Sequence, residues 1–113
     1  MELARECVSA YLGDAEPLNV TIDKIFAAVF KKFNVQREEL VGKKRNKEIA
    51  NARHIAIYLI REITEMSYPN ISKIFERDHA TIMSSIEVVK KRISSDPLYS
   101  MDMEGLRKEI SGN

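Results

Sequence analysis

The chain has 113 residues, of which 44% are hydrophobic and 31% charged, and its formal net charge is +1. This composition is ordinary for a folded domain with one core and argues against a disordered chain. The near-zero charge balance gives no overall attraction to polyanions, so a nucleic-acid partner would require a local basic cluster. The single cysteine excludes an intramolecular disulfide. No apolar run is long enough to cross a membrane, which predicts a cytoplasmic protein.

The first segment is predicted to be separate from the rest. Residues 2–12 place apolar side chains at helical spacing, and residues 13–17 interrupt that pattern as a linker does. A helix set apart in this way is typical of the end of a preceding domain. We therefore predict a connecting helix and linker over residues 1–19, and one domain over residues 20–113.

Helical periodicity resumes after the linker. Thr21 is predicted to cap a helix whose apolar face extends over residues 22–33 and which ends at Asn34. Residues 35–41 predict a second, short helix, and Gly42 is expected to stop it.

A basic loop, residues 43–47, follows and leads into a long helix over about residues 48–64. Between Lys43 and Arg53 there are five basic residues against the single acid Glu48. The long helix is apolar over most of its circumference, which predicts that it lies at the centre of a bundle.

Two further helices are predicted over residues 69–76 and 78–94, because Pro69 suits a helix start and Asp78 suits an N-cap. The second of these is expected to bury Ile82, Met83, Ile86, Val88, Val89 and Ile93. Pro97 stops it, and a last helix follows. No strand-like alternation is present, so the predicted fold is all-α: a compact multi-helix bundle of six to seven helices.

Residues 69–94 have the lengths of a helix-turn-helix, in which the second helix begins with a polar, exposed turn. There, Asp78 can accept from a cytosine amino group, and Ala80 can lie against a thymine methyl. His79 can donate to a base, and Thr81 suits a phosphate or a base edge. Asp78 is also compatible with a simple N-cap, His79 with a surface histidine, and the basic loop with a solvated segment. Their combination on one bundle favours DNA binding.

Taken in order, these residues resemble the C-terminal DNA-binding domain of DnaA, the bacterial chromosomal replication initiator, from about Val20 to the C-terminus. The most specific part is Arg-Asp-His-Ala-Thr-Ile at residues 77–82, close to the family's Arg-Asp-His-Thr-Thr-Val. Supporting features are the segments at residues 21–23, 43–45, 52–54 and 67–69. The resemblance implies a Trp-repressor-like helix-turn-helix that binds the DnaA box, a short element clustered at replication origins.

The resemblance also implies individual roles. Base contacts would come from Arg45 in the minor groove and from Pro69, Asp78, His79 and Ala80 in the major groove. Phosphate contacts would come from Lys43, Lys44, Arg53, His54, Arg61 and Thr81.

Three positions depart from the family pattern. Ala80 replaces the usual threonine and loses a hydroxyl, so base preference there would be relaxed. Glu76 stands where glycine normally makes the turn, and it would be strained if that residue needs a positive φ. His54 replaces a neutral polar residue, which would make one phosphate contact sensitive to pH.

The chain has no Gly-x-x-x-x-Gly-Lys-Ser/Thr phosphate loop and no nucleophile–base pairing, so we expect a binding module and not an enzyme. No cofactor or metal is expected, and ATP only on a preceding domain. The expected partners are double-stranded DNA, other copies of the initiator and replication regulators, in a nucleoid-associated cytoplasmic setting without membrane. The alternatives are a stand-alone helix-turn-helix transcriptional regulator and a helical protein-interaction module.

Overall fold

A computed structural model of the chain describes residues 17–43 and 46–110, and the predicted helix over residues 2–12 lies outside them. The described residues form six helices and no strand. In chain order these are α1 (Leu18–Phe33), α2 (Arg37–Val41), α3 (Lys47–Thr64), α4 (Tyr68–Phe75), α5 (His79–Ser95) and α6 (Pro97–Ile110). The all-α prediction is confirmed. None of these helices is both long and apolar enough to cross a membrane.

Helix α3 is the centre of the bundle, as its apolar circumference predicted. Its middle, from Ile55 to Ile60, is buried at every consecutive position. Helices α1, α2, α4 and α5 all pack against it, and α6 closes the bundle against α1 and α5. The core therefore fixes the orientation of α4 and α5, the two helices that make the helix-turn-helix.

Helix α1 begins earlier than predicted, at Leu18, with Pro17 in the N-cap position. Thr21 is consequently inside the helix, where its hydroxyl donates to the carbonyl of Pro17, and the predicted Thr21 N-cap is wrong. Asp23 lies 3.0 Å from the guanidinium of Arg37 in α2. The fixed φ of proline suits a helix start, and no side-chain hydrogen bond caps this end of α1.

Helix α5 buries Ile82, Ile86 and Val89, as predicted. Met83 and Val88, also predicted to be buried, are 48% and 39% exposed, so that part of the prediction is wrong. The sequence pattern overestimated the width of the apolar stripe because the outer flank of α5 faces solvent and not another helix.

Candidate nucleic-acid interface

The first turn of α5 presents polar side chains to solvent. Asp78 is the N-cap, and its Oδ1 accepts a hydrogen bond of 2.8 Å from the backbone amide of Thr81. Hydrogen bonds from the hydroxyl and then the amide of Thr81 lower the pKa of Asp78, so the carboxylate is ionised at neutral pH. His79, Ala80 and Thr81 are all exposed. These side chains project away from the bundle, as a reading helix requires.

Pro69 is the second residue of helix α4. Ser67 is its N-cap, accepting from the amide of Asn70 at 3.4 Å, and Pro69 is exposed in the first turn. The hydroxyl of Ser72 donates to the carbonyl of Arg77, whose own amide donates to the carbonyl of Ser72 at 3.1 Å. This pair of bonds closes the turn between α4 and α5.

Glu76 makes that turn in the left-handed region, with φ 53° and ψ 45°. The sequence analysis expected strain here if the position has a positive φ, and the structure shows that it does. Glu76 therefore adopts a conformation in which its Cβ causes strain, whereas glycine adopts it without strain.

The guanidinium of Arg77 binds the chain that leads into the basic loop. Its Nη1 donates to the carbonyls of Val41 and Phe75, at 3.1 and 2.7 Å. Its Nη2 donates to the carbonyl of Gly42, at 2.6 Å. Arg77, which precedes the N-cap of α5, is thus hydrogen-bonded to Gly42, which precedes Lys43.

Arg53 binds the same chain segment from α3. Its Nε donates to the carbonyl of Leu40 at 2.6 Å, and its Nη2 to those of Glu39 and Gly42 at 3.4 and 3.2 Å. The side chain is 9% exposed, and burial followed by the charge of Arg77 lowers its pKa. The expected phosphate contact from Arg53 does not fit this burial, and we assign the residue to the interior.

Two other expected phosphate contacts are half-buried and hydrogen-bonded within the protein. Nδ1 of His54 lies 2.8 Å from the hydroxyl oxygen of Ser85. Arg61 donates to the carbonyl of Met66 at 2.7 Å, and its guanidinium carbon lies 4.4 Å from the ring centroid of Tyr68. Any phosphate contact from either side chain would use its remaining nitrogen atoms.

The first residue of the basic loop, Lys43, lies beside the turn of the helix-turn-helix. Lys43, Glu76 and Arg77 line one open cleft of about 490 Å³, and Lys43 is exposed. The next two residues, Lys44 and Arg45, lie outside the described residues. The start of the loop therefore lies beside the turn that precedes α5.

Met83 is a surface residue of α5 that the sequence analysis placed in the core. It follows His79 by four positions, so both side chains share one face of the helix, and it is 48% exposed. The spacing of four residues from the exposed His79 could have predicted that Met83 is exposed. The exposed face of α5 thus continues from polar groups into an apolar one.

Within the described part of the chain, no group of three or more His, Cys, Asp or Glu side chains is arranged to hold a metal ion.

Comparison with known proteins identifies relatives. The profile of the family described as bacterial DnaA protein helix-turn-helix matches residues 22–89, more than half of the chain. The chain is 35% identical over 112 residues to the chromosomal replication initiator protein DnaA of Thermoanaerobacter sp. (strain X514), and equally so to that of Thermoanaerobacter pseudethanolicus. The match covers 99% of this chain and 25% of each relative. The chain thus spans about a quarter of their length.

Solved structures show the same fold. A crystal structure of a DNA replication initiation factor matches 82% of this chain and 29% of its own with a TM-score of 0.73 and 28% identity. A structure of the replication initiator DnaA bound to AMPPCP and single-stranded DNA matches 81% of this chain and 30% of its own. There the TM-score is 0.63 and the identity 27%.

Proposed function

Because this chain belongs to the bacterial DnaA helix-turn-helix family, we propose that it binds double-stranded DNA by sequence at DnaA boxes. It acts as the DNA-binding module of a replication initiator and not as an enzyme. The observation that carries the proposal is that Lys43, at the start of the basic loop, lines one cleft with Glu76 and Arg77, which directly precede the exposed start of α5. This arrangement offers base-reading side chains and phosphate-directed charge to one duplex.

The major-groove contacts we propose are those of Asp78, His79 and Ala80, with Pro69 approaching a base from α4. Capping engages Oδ1 of Asp78, so a base contact would use its other oxygen. Ala80 offers a methyl group to a thymine methyl. We add Met83 to this set, because it is exposed on the face of α5 that carries His79.

The phosphate contacts we propose are those of Lys43, Lys44, His54, Arg61 and Thr81, and Arg45 is the proposed minor-groove reader. Thr81 lies in the first turn of α5, where backbone amides also favour an anion. Arg53 is omitted, because its guanidinium is buried on backbone carbonyls.

The setting we propose follows from the same relatives. The domain would follow an ATPase domain that holds ATP, with residues 1–19 as the connecting segment. Other copies of the initiator and replication regulators would be its protein partners. Its location would be cytoplasmic and associated with the nucleoid.

A fluorescence-anisotropy titration tests the proposal with three probes: a DnaA-box duplex, a scrambled duplex of equal composition, and the single strand of the box. We expect the box duplex to bind at least about a thousandfold more tightly than the scrambled duplex, the lower end of the range for specific DNA-binding proteins. Equal affinity for the two duplexes, or preference for the single strand, would overturn it. No binding of any probe at low salt would instead favour a protein-interaction module.

A further inference from the structure

We propose that Arg77 and Arg53 are positioning residues that fix the start of the basic loop, at Gly42 and Lys43, relative to α5, the proposed reading helix, so that one duplex meets both at a set separation. The inference rests on the proposed DNA binding and adds a role for two arginines that need not touch DNA. It concerns a link between the two reading elements, which are separated in sequence by more than thirty residues.

The link is built on the C-terminus of α2. A helix leaves its last carbonyls without partners inside the helix, and α2 has only five residues. The two guanidinium groups bind four successive carbonyls there: Arg53 takes Glu39 and Leu40, and Arg77 takes Val41. Both donate to Gly42, at 3.2 Å from Arg53 and 2.6 Å from Arg77.

The position of these carbonyls along the chain gives the bonds their consequence. Gly42 directly precedes Lys43, the first residue of the basic loop, and Arg77 directly precedes Asp78, the N-cap of α5. One side chain therefore connects the origin of the loop to the origin of the reading helix. Arg53 ties the same point to α3, the most buried helix of the bundle.

Both guanidinium groups donate hydrogen bonds to backbone carbonyls of the protein itself. Arg53 is buried and Arg77 is half-buried. A phosphate contact by the bonded Nη atoms of Arg77 would compete with three backbone carbonyls. An ammonium group cannot reproduce these contacts, because only the planar fork of arginine reaches several acceptors in fixed directions. Arg77, the first residue of the Arg-Asp-His-Ala-Thr-Ile motif, thus contributes to DNA binding by holding the start of the basic loop in place.

A double-mutant cycle tests this, with affinity for the DnaA-box duplex as the readout. In the otherwise unchanged chain, Arg45→Ala should weaken box binding about tenfold, the size of a good base-edge contact. In the Arg77→Met background the same change should weaken it less than about threefold, because the loop is no longer held in place. The loss of affinity in the double variant Arg77→Met/His79→Ala should equal the product of the two single losses within about twofold, as expected for uncoupled sites.

Ser72→Ala is the matched control. It removes one hydrogen bond of the same turn but keeps the guanidinium contacts, so the effect of Arg45→Ala should stay about tenfold. Circular dichroism verifies that each variant is folded. If Arg77→Met does not fold, Arg77→Lys replaces it, because lysine keeps the charge and loses the fork.

Hydrogen exchange of the free protein gives a second readout that needs no DNA. The amide of Gly42 donates to the carbonyl of Glu38 at 2.9 Å, and its exchange should accelerate at least about tenfold in Arg77→Met but not in Ser72→Ala. Unchanged exchange, or a full Arg45→Ala effect in the Arg77→Met background, would overturn the inference. A wild-type chain without preference for the box duplex would overturn the proposed function instead, and the exchange experiment would still decide whether Arg77 holds the loop.

Discussion

The imidazole of His54 and the hydroxyl of Ser85 join α3 to α5, with Nδ1 and Oγ 2.8 Å apart. Ser85 is buried and His54 half-buried. Burial of the ring, followed by the charge of the adjacent Arg53, lowers the pKa of His54 below its ordinary value of 6.5. The ring is therefore neutral at physiological pH, and any change in its charge falls in the acidic range.

This pKa shift predicts how stability depends on pH. The unfolded chain binds a proton at His54 near pH 6.5, whereas the folded chain binds it only at lower pH. The free energy of unfolding should therefore be undiminished above pH 6.5 and should fall as the pH drops below that value. His54→Gln should flatten this part of the curve, measured by urea unfolding at several pH values. His79→Gln is the control, since that side chain is exposed, and a flattening of equal size in both variants would exclude the explanation.

His79 is one of the proposed base contacts, and its side chain is exposed at the start of α5. His79→Ala should cost about 1–3 kcal/mol of binding free energy on the DnaA-box duplex and little on a scrambled duplex. Anisotropy titrations of both duplexes measure the difference. An equal loss on the two duplexes would mean that the imidazole contacts the backbone and reads no base.

Met83 is expected to contact a thymine methyl from the next turn of α5. Met83→Ala should weaken box binding by about 1 kcal/mol, and uracil in place of the contacted thymine should weaken the wild type by a similar amount. The two losses should not add, because they remove the two sides of one contact. Met101→Ala is the control, because Met101 is 69% exposed on α6. A scan of single uracil substitutions in which every loss adds to that of Met83→Ala would disprove the contact.

The sequence was sufficient to predict most of the described helices and the exposed motif. Helix periodicity identified α3 as the central helix, and Pro69 and Asp78 located the starts of α4 and α5 within one residue. The exposure of His79 also followed, because the first core residue of α5, Ile82, comes only later. These features depend on local spacing and capping, which a single sequence records.

The features that the sequence did not reveal depend on contacts between distant residues. Arg53 was expected at the DNA because the family resemblance implied a phosphate contact there. In the structure the carbonyls at the end of α2 instead give its guanidinium acceptors inside the protein. The exposure of Met83 and Val88 likewise depends on which neighbouring helix fails to cover them. Helical periodicity identifies an apolar stripe but does not show how much of that stripe a neighbouring helix covers.

Lys43 tests whether the basic loop supplies charge to the phosphate backbone. Lys43→Ala should weaken the box and scrambled duplexes alike and reduce the slope of log affinity against log salt by about one unit. Titrations between low and moderate salt measure the slope. Lys108→Ala removes the same charge from exposed α6 and should leave the slope unchanged. An identical slope for wild type and Lys43→Ala would show that the residue is merely solvated.

Glu65 and Glu76 end α3 and α4 in the same way, with positive φ values of 56° and 53°. Each amide donates back to the preceding turn, Glu65 to Arg61 and Glu76 to Ser72. A residue with a Cβ in this conformation costs about 1–2 kcal/mol, part of which glycine recovers despite its greater freedom in the unfolded chain. Glu76 lies in the cleft that Lys43 also lines, whereas Glu65 is not part of that cleft.

Comparing Glu65→Gly with Glu76→Gly therefore separates the effect of backbone strain on stability from the effect of charge on DNA binding. Glu65→Gly and Glu76→Gly should each raise the free energy of unfolding by up to about 1 kcal/mol, measured by urea denaturation, since both relieve the same backbone conformation. Both remove one negative charge, but only Glu76→Gly should tighten duplex binding, by a factor of about two. That is the effect of roughly 0.5 kcal/mol of repulsion between a carboxylate and a phosphate about 8 Å apart in water. The gain should appear on box and scrambled duplexes alike and vanish at high salt, because the carboxylate acts on the backbone and not on a base. Equal tightening by Glu65→Gly would trace the effect to net charge and would remove Glu76 from the interface.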